Sequence, residues 1–315
     1  MTRPALLKLL RWAGTILAGL LTAWFVARLV MSDLGAVRDT LNPSLLLTIG
    51  ALAIVYASLG TILALGWSRL IVAFGGSREG QMRLHAVTQL MKYLPGNVFH
   101  LAGRHGMARR RAVSHETLLL AVLAETGLLV FTSLLVGGLA VPMLPMPSIA
   151  ICAAAAMGVI ATVSLIAALV AWKWEYAASP VQRFWRARWG LARILPLYLT
   201  FFAVYGAIGG LLLTALSPAV DGQLFALTAG AFALAWLGGF LAPGAPAGIG
   251  VRESVLLLIL SPFAGPGAVL FLAALGRVIT VLGDALLAAG ASLVTSVASG
   301  PDKSQPDWET SLGRN

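Results

Sequence analysis

Two polar stretches broken by glycine and proline interrupt this chain between long apolar runs: KYLPGNVFHLAGR, from Lys92 to Arg104, and APGAPAGIGVRE, from Ala242 to Glu253. Both put fixed charge and backbone-breaking residues beside stretches apolar enough to enter a bilayer. Lipid does not hydrate a free N–H or C=O, so irregular backbone survives at membrane depth only where protein or a wet cavity covers it. A charged side chain there costs at least ~2.5–3.5 kcal/mol on insertion scales. The two breaks therefore predict a membrane protein with an internal polar site.

Composition supports the membrane reading. Hydrophobic residues make up 59% of the 315 and charged ones 11%, against about 25% charged in an ordinary soluble domain. Mean hydropathy is +0.89. No polar stretch is long enough for a separate soluble domain, so residues 1–300 read as one transmembrane domain, with 301–315 a polar tail. The net charge of +10 does not point to nucleic acid, because the basic residues sit in short loops flanking apolar runs, as the positive-inside bias places them. Cys152 lies in an apolar run and has no second cysteine to pair with. His85, His100, His105 and His115 are spaced by 15, 5 and 10 residues, which matches no zinc pattern. They read as interfacial histidines, and no metal or other cofactor is expected.

A helix needs about 20 apolar residues to cross the ~30 Å hydrocarbon core. Such runs fall at about 12–31, 44–66, 116–140, 149–172, 194–216, 224–241, 254–274 and 276–298. The expected fold is an all-α polytopic bundle of about eight spans with two broken or re-entrant segments. The run at 254–274 is weakened by SPFAGPG, which also suits the tip of a re-entrant hairpin. The segments 75–115 and 173–193 are basic, whereas 141–148 and 217–223 carry no basic residue. The positive-inside rule then puts both termini and both broken segments on the cytoplasmic side of a cell (inner) membrane. Residues 10–172 and 194–298 share the order span, span, break, span, span, which an internal duplication would produce.

In the first break, Pro95 and Gly96 stop a helix, and Gly103 precedes Arg104. A half-helix here presents unpaired N–H groups and a positive dipole end to an anion, and Lys92 and Arg104 add charge suited to phosphate. An interfacial helix anchored to headgroups is the other reading of the same residues. In the second break, Pro246, Gly248 and Gly250 lead into Arg252 and Glu253. Glu253 suits a helix N-terminus, which leaves Arg252 for a polar cavity; a local Arg252–Glu253 ion pair is the alternative. No nucleotide-binding glycine motif is present.

Three ionisable residues fall inside spans: Glu125, Arg277 and Asp284. Arg277 and Asp284 share a helix face two turns apart, which admits a structural ion pair. The functional reading gathers Arg104, Arg252 and Arg277 around one phosphate-bearing headgroup, balanced by Glu125, Glu253 and Asp284. Gly276, Gly283 and Gly290 repeat at the same interval on a neighbouring stripe, permitting close helix packing. No Ser-His-Asp arrangement follows from order or spacing.

At these residues the chain resembles the transmembrane-region family of lysylphosphatidylglycerol synthases, a flippase-like module that also stands alone. The resemblance rests on K-x-x-P-G and G-R (Lys92, Pro95, Gly96, Gly103, Arg104), on Glu125 in the next span, on P-x-G-x-G-x-R-E (Pro246 to Glu253) and on Arg277. It spans roughly residues 10–298. It implies a lipid translocase or lipid-transport protein, not an enzyme, handling an anionic phospholipid or a polyprenyl-linked lipid. The synthase domain of the family has no counterpart here. Two rival readings are a non-catalytic membrane partner of a glycosyltransferase or lipid synthase, and a membrane-embedded transferase.

Overall fold

A computed structural model describes residues 42–93, 99–144, 178–217, 220–242 and 246–298. The expected spans at 12–31 and 149–172, Cys152, Pro95, Gly96, the 301–315 tail and both chain ends lie outside these residues.

Eight α-helices are described: α1 (Pro43–Ala73), α2 (Gln81–Thr88), α3 (Phe99–Arg109), α4 (His115–Gly137), α5 (Ala178–Leu216), α6 (Gly222–Leu241), α7 (Val251–Ala264) and α8 (Pro266–Ala298). Short 3-10 turns, Gln89–Tyr93, Gly138–Met143 and Pro246–Gly248, adjoin α2, α4 and α7. Among the described residues, five stretches are long and apolar enough to cross a membrane: Pro43–Ala73, His115–Met143, Gln182–Leu216, Gly222–Leu241 and Pro266–Leu293. The protein is an all-α, polytopic, membrane-type helical bundle.

Local chemistry starts the long helices. Asn42 accepts the Leu45 N–H, and Pro43 stands at the first helical position of α1, where a missing N–H costs nothing. Ser114 and Asp221 cap α4 and α6 in the same way, accepting from Thr117 and Leu224. Each such cap contributes about 1 kcal/mol.

Two expected boundaries differ. The helix boundary expected near residue 275 lies at Gly265 instead, whose φ of 72° and ψ of 149° end the 14-residue α7. Pro266 then opens the 33-residue α8, which runs unbroken through Gly276. A Gly-Pro step denies a helix both its dihedral and its N–H, whereas a lone glycine costs only ~1 kcal/mol. At 1.5 Å per residue α7 is about 21 Å long, shorter than the hydrocarbon core. The basic segment before residue 194 is helical from Ala178 and continuous with its span, as α5.

Helix α8 packs mainly on α1, and α5 packs on α1 and α6. The α1–α8 crossing depends on Gly283: a Cβ there would lie 2.9 Å from the Ala53 carbonyl oxygen. The core is aromatic where α1, α5 and α6 meet. The Tyr56, Phe201, Phe202, Tyr205, Phe232 and Trp236 rings stack or meet edge-on, with centroids 5.0–6.4 Å apart. That cluster forms one wall of a polar cavity.

A charged cavity as candidate functional site

Helix α2 and its 3-10 turn carry His85, Gln89 and Lys92 on one face, four and three residues apart. The short α3 brings His100 and Arg104, α4 Glu125, α7 Arg252 and α8 Asp284. All of these line one cavity of about 60 Å³, closed on its apolar side by Tyr56, Phe201, Trp236 and Phe240. At ~10–15 Å³ of such volume per water, the space takes roughly four to six water-sized groups.

The charges inside are paired across elements. Arg104 donates to Glu125 Oε2 at 2.5 Å, and His85 Nε2 lies 3.4 Å from the other carboxylate oxygen. Arg104 and Glu125 are only 2% and 4% exposed, and the guanidinium sits 4.5 Å above the Trp67 ring. Lys92 Nζ meets Asp284 at 2.7 Å, and the Tyr93 hydroxyl donates to the same carboxylate oxygen. Burial pushes the Lys92 pKa down, but the Asp284 charge, the Tyr93 hydroxyl and the hydrogen bond to Asp284 together outweigh it and raise it. Burial, then the Arg104 charge, pushes His85 down to about 4 and His100 down to about 3. Both imidazoles are therefore neutral at pH 7, and His100 Nδ1 is buried with no partner among the described residues.

Arg252 differs from the other cations. Unlike Lys92 and Arg104 it forms no hydrogen bond or ion pair among the described residues; its Nε, like that of Arg104, is buried and unpartnered. Its guanidinium lies 5.8 Å from the Trp236 ring centroid, and its stem lies against Gly239, where any Cβ would collide with it. Three lining cations, Lys92, Arg104 and Arg252, face two carboxylates, Glu125 and Asp284. Among the described residues, one positive charge is left over.

Two ion pairs left open by the sequence as alternatives do not form, and others take their place. Arg277 does not pair with Asp284: its Nε donates to Glu253 Oε1 at 2.7 Å, and its other nitrogens donate to the Ala247 and Gly248 carbonyls at 2.7 and 2.9 Å. Residues seven apart on a helix are separated by about 10.5 Å along the axis, so each reaches to a neighbouring element instead. Nor does Glu253 pair with Arg252, because adjacent helical residues do not face each other. Its second oxygen accepts the Gly250 N–H at 2.7 Å. Arg277 and Glu253 thus clamp the broken turn rather than line the cavity; with Arg252 they border a smaller space beside it. Gly248, at φ 71°, packs directly on the Gly239 backbone, where only glycine fits.

Of the residues picked from sequence, Lys92, Arg104, Glu125, Arg252 and Asp284 are brought together. Gly103 lets α3 approach Met91, and Pro246, Gly248 and Gly250 build the turn before α7. His85 and His100, expected at an interface, are buried in the site. His105 and His115 stack on each other outside it, nitrogens 2.8 Å apart. Tyr93 and Trp236 were missed. The i, i+4, i+7 spacing of His85, Gln89 and Lys92 is the signal that marked the polar face of α2. Comparison with known proteins finds no matching family model, no similar curated protein and no similar solved structure.

Proposed function

We propose that this cavity binds the phosphate of an anionic membrane lipid, and that the protein transports such a lipid across or within the bilayer. The observation that carries the reading is Arg252: a guanidinium unpaired among the described residues of a membrane bundle, within a cavity whose other described charges cancel. An uncompensated charge at depth is costly, and a bound anion removes that cost. A guanidinium grips two phosphate oxygens at once, as an ammonium does not. The resemblance to the flippase-like family is in accord with a phospholipid or polyprenyl-phosphate cargo.

In this reading the basic segments and both termini face the cytoplasm, and α7 with its preceding turn is a re-entrant element. A cysteine replacing Gln223 then reacts with an impermeant thiol reagent in whole cells, and one replacing Ser77 does not.

Purified protein in proteoliposomes tests transport directly. Redistribution of a headgroup-labelled anionic lipid between leaflets, lost in Arg252→Gln, supports the proposal. A change in the mass of the lipid instead points to a transferase. Absence of both points to a partner protein.

A further inference from the structure

A second void of about 590 Å³ lies along α1, α2 and α8, with the exposed Ile54 and Leu286 on its border. Its walls are apolar apart from Ser58, Thr61 and Arg83. Arg83 is exposed and has no ion pair or hydrogen bond among the described residues. The same three helices line the charged cavity from their neighbouring stripes. On α1, Tyr56 and Gly60 face the cavity while Ala57 and Thr61 face the groove; on α2, His85 faces the cavity and Ala86 the groove. On α8, Asp284 and Leu287 stand one turn apart, the first in the cavity and the second in the groove. Between the two voids, the Leu287 side chain of the groove packs into the space that a side chain at Gly60 of the cavity would fill.

We propose that the groove holds an acyl chain of the same lipid whose phosphate the cavity binds, and that Leu287 packed on Gly60 is the gate between them. The proposal rests on the cavity reading above. An amphiphile with an anionic head and an apolar tail matches the juxtaposition: a small charged chamber, a large apolar groove bordered by exposed Ile54 and Leu286, and Arg83, unpaired among the described residues, on the groove wall. A leucine end packed on glycine is a movable plug, since rotation about the side-chain bonds clears the space without shifting either helix. Free phosphate needs only the chamber.

Gly290 offers a clean test, because a Cβ there meets nothing within 4 Å, so Gly290→Phe fills the groove without disturbing the backbone. Binding of phosphatidic acid and of its water-soluble headgroup, glycerol 3-phosphate, is measured on the full-length protein in detergent. Gly290→Phe weakens phosphatidic acid at least about tenfold, since chain burial supplies much of the affinity, and leaves glycerol 3-phosphate unchanged. Arg252→Gln weakens both. Unchanged phosphatidic acid binding in Gly290→Phe overturns the groove assignment and leaves the cavity reading intact, as does equal loss of both ligands. Unchanged binding of both in Arg252→Gln overturns the cavity reading itself. On the unmodified protein, phosphatidic acid with a diazirine in its chain crosslinks to Leu286–Ala291 in preference to the exposed Leu211 of α5; uniform labelling overturns the groove assignment independently of any variant.

Discussion

Helices α3 and α7 each bring an arginine to the same cavity, and they settle its charge in opposite ways. Arg104 of α3 is buried against Trp67 and neutralised by Glu125. Arg252 of α7 is followed by an acid, yet that acid is engaged by Arg277 and the Gly250 N–H, and Arg252 has no partner among the described residues. One side of the cavity is a finished ion pair, and the other is a clamp that holds an unmatched cation in place. The difference separates structural charge from charge kept for a ligand. A buried pair adds little net stability over an apolar pair of the same volume, but breaking it is expensive; an unpaired cation beside a cavity contributes little to packing.

The sharpest way to break this contrast is to remove Glu125. Glu125→Ala strands Arg104 in the bundle and is expected to lower stability by about 3–5 kcal/mol, read as thermal unfolding in detergent. Adding Arg104→Met restores much of the loss. If Glu125→Ala is harmless, the α3 side is not a structural pair.

Next in size is the clamp. Arg277→Met removes charge-assisted hydrogen bonds to Glu253 and two carbonyls and should cost about 2–3 kcal/mol. Binding of glycerol 3-phosphate falls with it, because the turn that aims Arg252 loosens. Unchanged binding alongside lowered stability shows that the turn holds Arg252 without the clamp.

Protonation gives a graded effect. His85 and His100 are held near 4 and 3 in the folded protein, mainly by burial, against about 6.5 when unfolded. The unfolded chain therefore binds more protons between these limits. Stability is fully present above pH 6.5 and falls as pH drops toward 4, by at most about 1.4 kcal/mol per pH unit for each histidine. His85→Gln makes the profile shallower; an unaltered slope assigns the acid sensitivity elsewhere.

The smallest loss of stability belongs to Arg252→Gln, which removes an uncompensated charge and is expected to leave the protein at least as stable as the parent. Binding of the anionic headgroup falls at the same time by about tenfold or more. A large loss of stability in this variant makes Arg252 a structural residue like Arg104, and the contrast between the two helices collapses.

Hydropathy is a local property, and it was readable from the chain. The expected runs at 44–66, 116–140 and 224–241 fall inside α1, α4 with its 3-10 turn, and α6. The residue types of the cavity were also legible, since Lys92, Arg104, Glu125, Arg252 and Asp284 are costly at membrane depth wherever they point. What the chain order does not carry is which charge meets which. Glu125 faces an arginine 21 residues back, Arg277 an acid 24 residues back, and the Tyr93 hydroxyl an acid 191 residues on. Helical geometry itself rules out the nearer partners, because neighbours at i+1 diverge and those at i+7 lie about 10.5 Å apart. The burial of His85 and His100 was hidden for the same reason: a histidine is equally at home at an interface or in a satisfied interior. Sequence alone determined a helical membrane protein with charge in its interior. Only tertiary packing decided that three acid–base pairs close across elements in and beside the cavity, and that Arg252 is the cation left over among the described residues lining it.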